Sequence, residues 1–226
     1  MALTREEPAP GLVIWQPARG FRYAMDPMLL AAFALDGGRP RSFLDVGTGS
    51  GVIALLLARL GLEGEGTDIV PQWIDLARRS AEDSGSKVDF HVEDVRGRQA
   101  GPVELVLCNP PYWPLGEGPL PPDPMKAAAR HELHGSLAEL VPALCRAGER
   151  VALVLPARRA DEAVALLAQH GRPLARRVRV DDTLVLLEGR GGGGGAEDIQ
   201  VHTREAGGWS PWARAQYAKL GLVLRP

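Results

Sequence analysis

An apolar strand, a glycine-rich turn and an apolar helix follow one another directly between residues 42 and 60. Residues 42–46 read Ser-Phe-Leu-Asp-Val, residues 47–51 read Gly-Thr-Gly-Ser-Gly, and residues 52–60 are helical in pattern. Glycine permits the positive φ of a tight connection and leaves the backbone bare for a ligand. The amino terminus of the following helix favours negative groups at the same place. The sequence therefore predicts an α/β fold with a ligand site at this turn.

Strand and helix patterns alternate along the rest of the chain. Further strands are predicted at residues 62–67, 87–91, 103–108, 150–155, 175–187 and 199–203. The helices are predicted at residues 28–35, 52–60, 72–83, 136–146, 161–170 and 211–220. The strand at 62–67 is assigned only because the alternation requires one, since its two glycines weaken it.

The last two predicted strands flank the glycine-rich segment 189–195. This connection is too short for a helical crossover, so we expect the last pair to be antiparallel. The whole pattern predicts a doubly wound, Rossmann-like α/β sheet of seven strands with an antiparallel last strand.

Length and composition fit one globular domain. The chain has 226 residues, of which 45% are hydrophobic and 24% charged. We expect a single domain over residues 1–226, in which residues 1–40 form an N-terminal lid beside the substrate and residues 41–226 form the core. The longest apolar run, residues 52–58, is far shorter than the ~20 residues that span a bilayer. We expect a cytoplasmic monomer that does not contact membranes.

Cysteine and histidine spacing gives no disulfide framework and no metal site. The two cysteines, Cys108 and Cys145, lie far apart, and His131 and His134 have no neighbouring ligands that would complete a metal site. The sequence therefore predicts no metal.

The charge is unevenly distributed along the chain. Residues 1–125 carry 11 Lys or Arg and 17 Asp or Glu, whereas residues 126–180 carry 10 basic and 5 acidic residues. A basic segment of this kind predicts a positive face that binds phosphates, with a solvated arginine-rich surface as the alternative. The residues proposed to contact phosphates are Lys126, Arg130, Arg158, Arg159, Arg176 and Arg177.

Asp45 and the glycines of the turn are candidate cofactor ligands. Asp45 stands two residues before Gly47, where a carboxylate can hold a cationic amine. The spacing of Gly47, Gly49 and Gly51 differs from the Gly-x-Gly-x-x-Gly of turns that bind pyrophosphate. S-adenosylmethionine contains an amino-acid moiety that NAD lacks, so this pattern favours S-adenosylmethionine. A glycine turn needed only for packing is the alternative.

Two further acidic residues follow predicted strands. Asp68 closes the second strand, where a carboxylate can accept both ribose hydroxyls of a nucleoside; capping the next helix is the alternative. Asp94 follows the third strand, and its carboxylate together with the N–H of Val95 can bind the edge of an adenine. An ordinary turn residue is the alternative for Asp94.

The tetrapeptide Asn109-Pro110-Pro111-Tyr112 follows the strand at 103–108. The prolines stiffen the backbone and aim the Pro110 carbonyl beside the Asn109 side-chain oxygen, so two acceptors meet the two hydrogens of a neutral –NH2 group. Tyr112 offers a flat face on which a base can stack. These four residues are the candidate catalytic residues, with a structural Pro-Pro turn as the alternative.

The chain resembles the class I S-adenosylmethionine-dependent methyltransferases that act on amino nitrogen. The resemblance rests on Asp45-x-Gly47-x-Gly49-x-Gly51, Asp68, Asp94 and Asn109-Pro110-Pro111-Tyr112. Two more segments are similar to the bacterial tRNA N6-adenine methyltransferases that modify an adenine beside the valine tRNA anticodon. These are residues 20–30 (Gly-Phe-Arg-Tyr-Ala-Met-Asp-Pro-Met-Leu-Leu) and residues 129–132 (Ala-Arg-His-Glu).

This resemblance implies the roles of the candidate residues. S-adenosylmethionine would lie on the glycine turn, the target amine would be held by Asn109 to Tyr112, and tRNA would be the partner. Lys126, Arg130 and His131, together with Tyr112, are the candidate substrate-binding residues. The chain departs from the family in its proline-rich segment 113–124 and in its polar second strand.

Other functions remain open from the sequence. A protein-glutamine N5 methyltransferase would share the tetrapeptide, because a carboxamide also presents an –NH2 group. A cytosine C5 enzyme would need a thiolate after proline, and Cys108 instead ends a strand, where a buried apolar role is expected. A nicotinamide dehydrogenase and a non-catalytic protein that binds nucleic acid are the remaining alternatives.

Overall fold

The computed structural model describes residues 2–20, 22–192 and 196–224. The N-terminal hairpin consists of β1 (Leu3–Ala9) and β2 (Leu12–Pro17). The strands of the main sheet are β3 (Ser42–Val46), β4 (Glu63–Asp68), β5 (Asp89–Val92), β6 (Val103–Cys108), β7 (Gly148–Pro156), β8 (Leu174–Val180), β9 (Leu184–Arg190) and β10 (Glu197–Val201). A short hairpin consists of β11 (Arg204–Glu205) and β12 (Gly208–Trp209).

Helices cover both faces of the main sheet. They are α1 (Asp26–Asp36), α2 (Val52–Arg59), α3 (Pro71–Ser84), α4 (Pro124–Arg130), α5 (Leu137–Ala147), α6 (Ala160–Gln169) and α7 (Pro211–Lys219). One hydrophobic core contains α1, α2, α3, α7 and the N-terminal hairpin, and a second contains α5 and α6 on the opposite face. No helix in the described ranges is both long and apolar enough to span a bilayer.

The order of strands in the sheet confirms the α/β class. Across the described residues the order is β10-β8-β9-β7-β6-β3-β4-β5. Strands β3 to β7 are parallel, so their carboxyl ends share one edge, where α/β sheets bind ligands. Strand β9 runs antiparallel to both of its neighbours, β7 and β8.

The prediction for the last strands is wrong in two respects. The single strand expected at 175–187 is two strands, because Asp181 and Asp182 turn the chain with φ of 49° and 55°. The sheet therefore has eight strands in its described part rather than seven. Strand β10 pairs with β8 in parallel, so the strands on either side of the glycine-rich segment are not an antiparallel pair. Gly193, Gly194 and Gly195 of that segment lie outside the described residues.

The polar strand β4 forms as the alternation requires, and its glycines have a packing role. A Cβ on Gly64 would stand 2.5 Å from the Phe43 ring, and one on Gly66 would stand 2.6 Å from the Phe90 ring. The two aromatic rings therefore occupy the space that side chains of β4 would need. This packing accounts for a strand that lacks apolar side chains.

The N-terminal hairpin packs on α3. The Val13 and Trp15 N–H groups donate to the Ser84 and Ser80 hydroxyls at 2.8 and 2.9 Å. Side chains alternate along β2, so Trp15 points outward and its indole N–H donates to Asp83. Segment 1–40 thus contributes to the core, and its proposed role as a lid stays a prediction.

Gly51 precedes α2 with a φ of 85°, and its replacement is expected to destabilise the protein. A Cβ there would stand 2.9 Å from the Phe90 ring and 3.3 Å from the Ala77 Cβ. We expect Gly51→Ala to lower the free energy of unfolding by about 2–4 kcal/mol, through left-handed strain and overpacking. Gly85→Ala is the control, since Gly85 has a φ of 61° but open space around its Cβ position. Urea unfolding should show the smaller loss for Gly85→Ala, and equal losses would contradict the packing role.

Candidate active site

A cavity of about 650 Å³ lies at the carboxyl ends of β3, β4 and β6. Its volume falls within the ~300–1,000 Å³ of sites for small ligands. Its wall includes the glycine turn, the residues after β4, β5 and β6, the segment before α1 and the end of α4. The sheet therefore brings together motifs that are far apart in the sequence.

Two of the three glycines face the cavity. Gly47 and Gly49 line it with φ of 70° and 56°, and a Cβ built on either would meet open space. Any side chain there would enter the volume left for a ligand. Gly51 has the packing role described above and does not line the cavity.

Asp45 lies behind the turn. Its side chain is 1% exposed, is absent from the cavity wall and accepts a hydrogen bond of 2.6 Å from the Thr48 hydroxyl. The structure therefore does not place Asp45 against a ligand's ammonium group. Burial raises the pKa of the Asp45 carboxyl to about 7, although the Thr48 hydroxyl and the Ala54 N–H favour its charged form.

The raised pKa of Asp45 predicts a pH-dependent stability. An unfolded aspartate titrates near pH 3.9, so the folded state retains a proton that the unfolded state releases as the pH rises from about 4 to 7. This contribution to stability is present below pH 4 and is lost across that window. We expect Asp45→Asn to stabilise the protein more at pH 8 than at pH 5, by about 1 kcal/mol or more. Urea unfolding at both pH values tests this, and a pH-independent difference would contradict it.

Asp68 connects the end of β4 to the glycine turn. It accepts hydrogen bonds from the N–H groups of Gly49 at 3.1 Å and Val70 at 2.9 Å, and it lines the cavity. Burial raises its pKa, which these backbone donors partly offset. A carboxylate has about four lone-pair positions, so acceptor capacity remains for two ribose hydroxyls.

Asp94 and Val95 lie on the cavity wall after β5. The Asp94 carboxylate accepts from the Arg96 N–H at 3.0 Å and pairs with the Arg96 guanidinium, which lowers its pKa. The side chain is thereby fixed as a charged acceptor beside the buried Val95. This placement suits the expected contact with an adenine edge.

The residues Asn109 to Tyr112 line the cavity directly after β6. The Tyr112 hydroxyl donates to Asp26 Oδ2 at 2.7 Å, and the Arg158 guanidinium donates to the Tyr112 carbonyl at 3.1 Å. Burial and the neighbouring Asp26 carboxylate raise the pKa of Tyr112, so it remains a donor. Neither the Asn109 side chain nor the Pro110 carbonyl has a hydrogen-bond partner in the described parts of the chain.

Asp26 supports Tyr112 from the first turn of α1. Met25 occupies the N-cap position of α1, and Asp26 is the first helical residue. Its carboxylate orients the Tyr112 ring. Residues 20–30 thus reach the active site, as their resemblance implied, although Phe21 lies outside the described residues.

The candidate substrate residues are only partly on the cavity wall. Arg130 is exposed and lines the cavity, and it has no acidic partner among the described residues. Lys126 lies in the first turn of α4, away from the wall, where its N–H donates to Asp123. His131 is buried behind the wall, so direct contact with substrate is not supported.

The basic face expected over residues 126–180 is largely neutralised. Arg159 is buried between Glu132 and Glu162. Arg176 pairs with Glu188 and Glu197, and Arg177 pairs with Asp198. The assignment of these three arginines to phosphate contacts is therefore wrong, because each already forms an ion pair with at least one carboxylate. Arg158 lies beside Tyr112, where its guanidinium pairs with Glu117 at 3.2 Å and stands 4.6 Å from the centroid of the Trp113 ring.

The donor set and shape fit S-adenosylmethionine. The glycine backbone leaves a bare cradle, Asp68 retains acceptor capacity, and Asp94 and Val95 line the same cavity after β5. Gln16 and Trp73 also line the cavity, and no sequence motif indicated either of them.

Comparison with known proteins gives the same assignment. The sequence profile of a family described as "Methyltransferase domain" matches residues 43–115. The tRNA1(Val) (adenine(37)-N6)-methyltransferase of Aeromonas salmonicida is 32% identical over 181 residues, covering 74% of this chain and 75% of that protein. The enzyme of the same name from Tolumonas auensis is 32% identical over 164 residues, covering 69% and 68%. The release factor glutamine methyltransferase of Rhodospirillum rubrum is 38% identical over 126 residues, covering 54% and 38%.

Solved structures share the fold. The ribosomal protein L11 methylase of Lactobacillus delbrueckii subsp. bulgaricus has a TM-score of 0.55 at 19% identity, covering 72% of this chain and 78% of that one. Magnesium protoporphyrin IX methyltransferase of Synechocystis, solved with bound S-adenosylmethionine, has a TM-score of 0.53 at 19% identity, covering 73% and 76%. The chain therefore belongs to the class I S-adenosylmethionine-dependent methyltransferases, in the family of the tRNA1(Val) (adenine(37)-N6)-methyltransferases.

Proposed function

We propose that this methyltransferase modifies N6 of an adenine in tRNA. The observation that carries the proposal is the pair of unengaged acceptors, the Asn109 side-chain oxygen and the Pro110 carbonyl, beside the oriented ring of Tyr112. An exocyclic –NH2 offers two hydrogens to these acceptors, and the base that bears it offers a flat face to the ring. The relatives named as tRNA enzymes support adenine as that base.

Each residue has a defined task in the proposed reaction. S-adenosylmethionine supplies a methyl group on a positively charged sulfur, which is already activated toward a nucleophile. Asn109 and Pro110 accept the two amine hydrogens and so direct the nitrogen lone pair toward the cofactor side of the cavity. Tyr112, held by Asp26, fixes the plane of the base. Alignment of this kind can supply about 7–11 kcal/mol. Transfer would break the methyl–sulfur bond as the methyl–nitrogen bond forms, the electron pair would stay on sulfur, and the amine proton would leave to solvent.

The cavity mouth is suited to an unpaired nucleotide. A base must leave its stack to enter a cavity of this kind, which costs a few kcal/mol and least in single-stranded RNA. Trp113 is 41% exposed beside Tyr112, with Arg158 against its ring and the unpaired Arg130 nearby. Trp113 offers a stacking face and Arg130 offers phosphate contact at the rim, whereas Arg158 is already paired with Glu117. Trp113 and Arg130 replace the broad basic face expected from the sequence.

Glutamine N5 in a release factor is the second candidate, because two relatives bear that name. Their coverage argues against it. The matched region spans 38% and 53% of the lengths of those proteins, against 75% and 68% for the first two tRNA enzymes. A non-catalytic role would leave the unengaged acceptors and the glycine cradle without a purpose.

Labelled methyl transfer distinguishes these candidates. The protein would be incubated with S-adenosylmethionine carrying a labelled methyl group and, in parallel, with unmodified tRNA or with a release factor. We expect label in tRNA and none in the release factor. Label only in the release factor would overturn the RNA assignment, and label in neither would support the non-catalytic alternative.

A further inference from the structure

Gln16 carries a buried amide on the cavity wall, and the amide oxygen has no hydrogen-bond partner among the described residues. The side chain is 1% exposed. An amide buried without a partner costs about 1–3 kcal/mol relative to one that is hydrogen-bonded. Such a group is stable in a folded protein when a ligand completes its hydrogen bonds.

The position of Gln16 on β2 makes the polar side chain unusual. Leu12 and Ile14 occupy the same inward face of the strand, and both are fully buried in the core. Gln16 continues this row to the point where the core ends and the cavity begins. An apolar residue at this position would continue the row without leaving a buried polar atom unpaired. The amide is therefore explained better by a ligand in the cavity than by packing.

The residue expected to accept from the cofactor's ammonium group does not line the cavity. The amino-acid end of the cofactor carries this group, which Asp45 was expected to hold, and Asp45 lies behind the turn. Other carboxylates on the wall already have partners. They are Asp26 with Tyr112, Glu93 with Arg98, and Asp94 with Arg96. Asp68 lies at the end of β4, where the ribose is expected.

We propose that the Gln16 carboxamide binds the amino-acid end of S-adenosylmethionine. Its oxygen would accept a hydrogen from the ammonium group, and its –NH2 would donate to the carboxylate, so one amide matches both charged groups. Strand β2 packs against α2 and α3, and Val52 at the amino terminus of α2 shares the cavity wall with Gln16. The positive end of the α2 dipole favours the carboxylate in the same region. Gln16 is therefore a binding residue of the N-terminal segment that no sequence motif indicates.

Two nucleosides that differ only at this end test the proposal. S-adenosylhomocysteine keeps the amino-acid end, whereas 5′-methylthioadenosine has the same adenosine and sulfur without it. We expect calorimetry to show that Gln16→Met lowers the affinity for S-adenosylhomocysteine about tenfold and leaves the affinity for 5′-methylthioadenosine unchanged. The melting temperature without ligand should stay equal or rise, because the substitution removes an amide oxygen that is buried without a partner among the described residues. Neither readout depends on which RNA is the substrate.

The control is Trp15→Phe on the same strand, whose side chain points away from the cavity. It should leave both affinities unchanged. Gln16→Ala provides a second variant with the same expected selectivity if the methionine variant folds poorly. Equal losses for the two nucleosides would show that Gln16 only supports the wall, and an unchanged affinity for S-adenosylhomocysteine would show no contact; either result overturns the proposal.

Discussion

Asn109→Ala is expected to lower the turnover number by about 10²–10³-fold. In the proposed reaction the side-chain oxygen of Asn109 accepts a hydrogen from the amine as the charge on the amine changes, and removal of one preorganised polar group of this kind costs about that much. The residue follows β6 on the cavity wall and holds no other described group by its side chain. Cofactor affinity should therefore stay within about twofold of wild type, since the loss falls on the transition state.

Steady-state kinetics with tRNA and calorimetry with S-adenosylhomocysteine separate the two effects. Asn109→Asp is the matched variant, because its side chain has the same length and retains an acceptor oxygen. It should therefore keep part of the turnover. Loss of cofactor binding with normal turnover would show that Asn109 binds the cofactor rather than the target amine, which would contradict the proposed role. Full activity of the alanine variant would remove it from the mechanism.

Asp68→Ala is expected to weaken S-adenosylmethionine binding by about 100-fold or more. Hydrogen bonds to a charged acceptor contribute about 1.5–3 kcal/mol each, and the variant loses those to the ribose. The variant also removes the 3.1 Å hydrogen bond from the Gly49 N–H to Asp68, so the glycine turn is held less firmly. Both effects act on the bound cofactor.

Calorimetry measures the affinity, and melting temperatures show whether the variant is folded. Asp68→Asn keeps one acceptor oxygen and should fall between wild type and alanine. Asp75→Ala removes an exposed carboxylate from α3 and controls for the change in net charge. An Asp68→Ala variant with wild-type affinity would remove Asp68 from the ribose site.

The parts of the candidate site that consist of short contiguous motifs could be predicted from the sequence. The turn at Gly47 and Gly49 and the tetrapeptide after β6 follow strands whose apolar patterns are clear. Parallel strands necessarily bring such segments to one edge of the sheet. The weak strand β4 was also predicted correctly, because the alternation of elements outweighed its poor local propensity.

Features that depend on distant partners were not predictable. Arg159 lies in a basic segment of the sequence, and only the fold brings Glu132 against it. The division of residues 174–190 into two strands depends on positive φ at Asp181 and Asp182. Neither residue is a glycine, so the sequence gives no clear signal of this turn. Gln16 lies near the end of the apolar strand β2, and its proposed role depends on the position of its amide on the cavity wall, which no motif indicates.

The central claim is that the Asn109 site methylates the amino group of an adenine. Its most direct test is digestion of tRNA to nucleosides after reaction with methyl-labelled S-adenosylmethionine, followed by mass spectrometry against nucleoside standards. The account predicts label in N6-methyladenosine, which disappears when Asn109→Ala replaces the wild type. Label on a ring nitrogen or ring carbon of any base, or undiminished N6-methyladenosine from the variant, would contradict it.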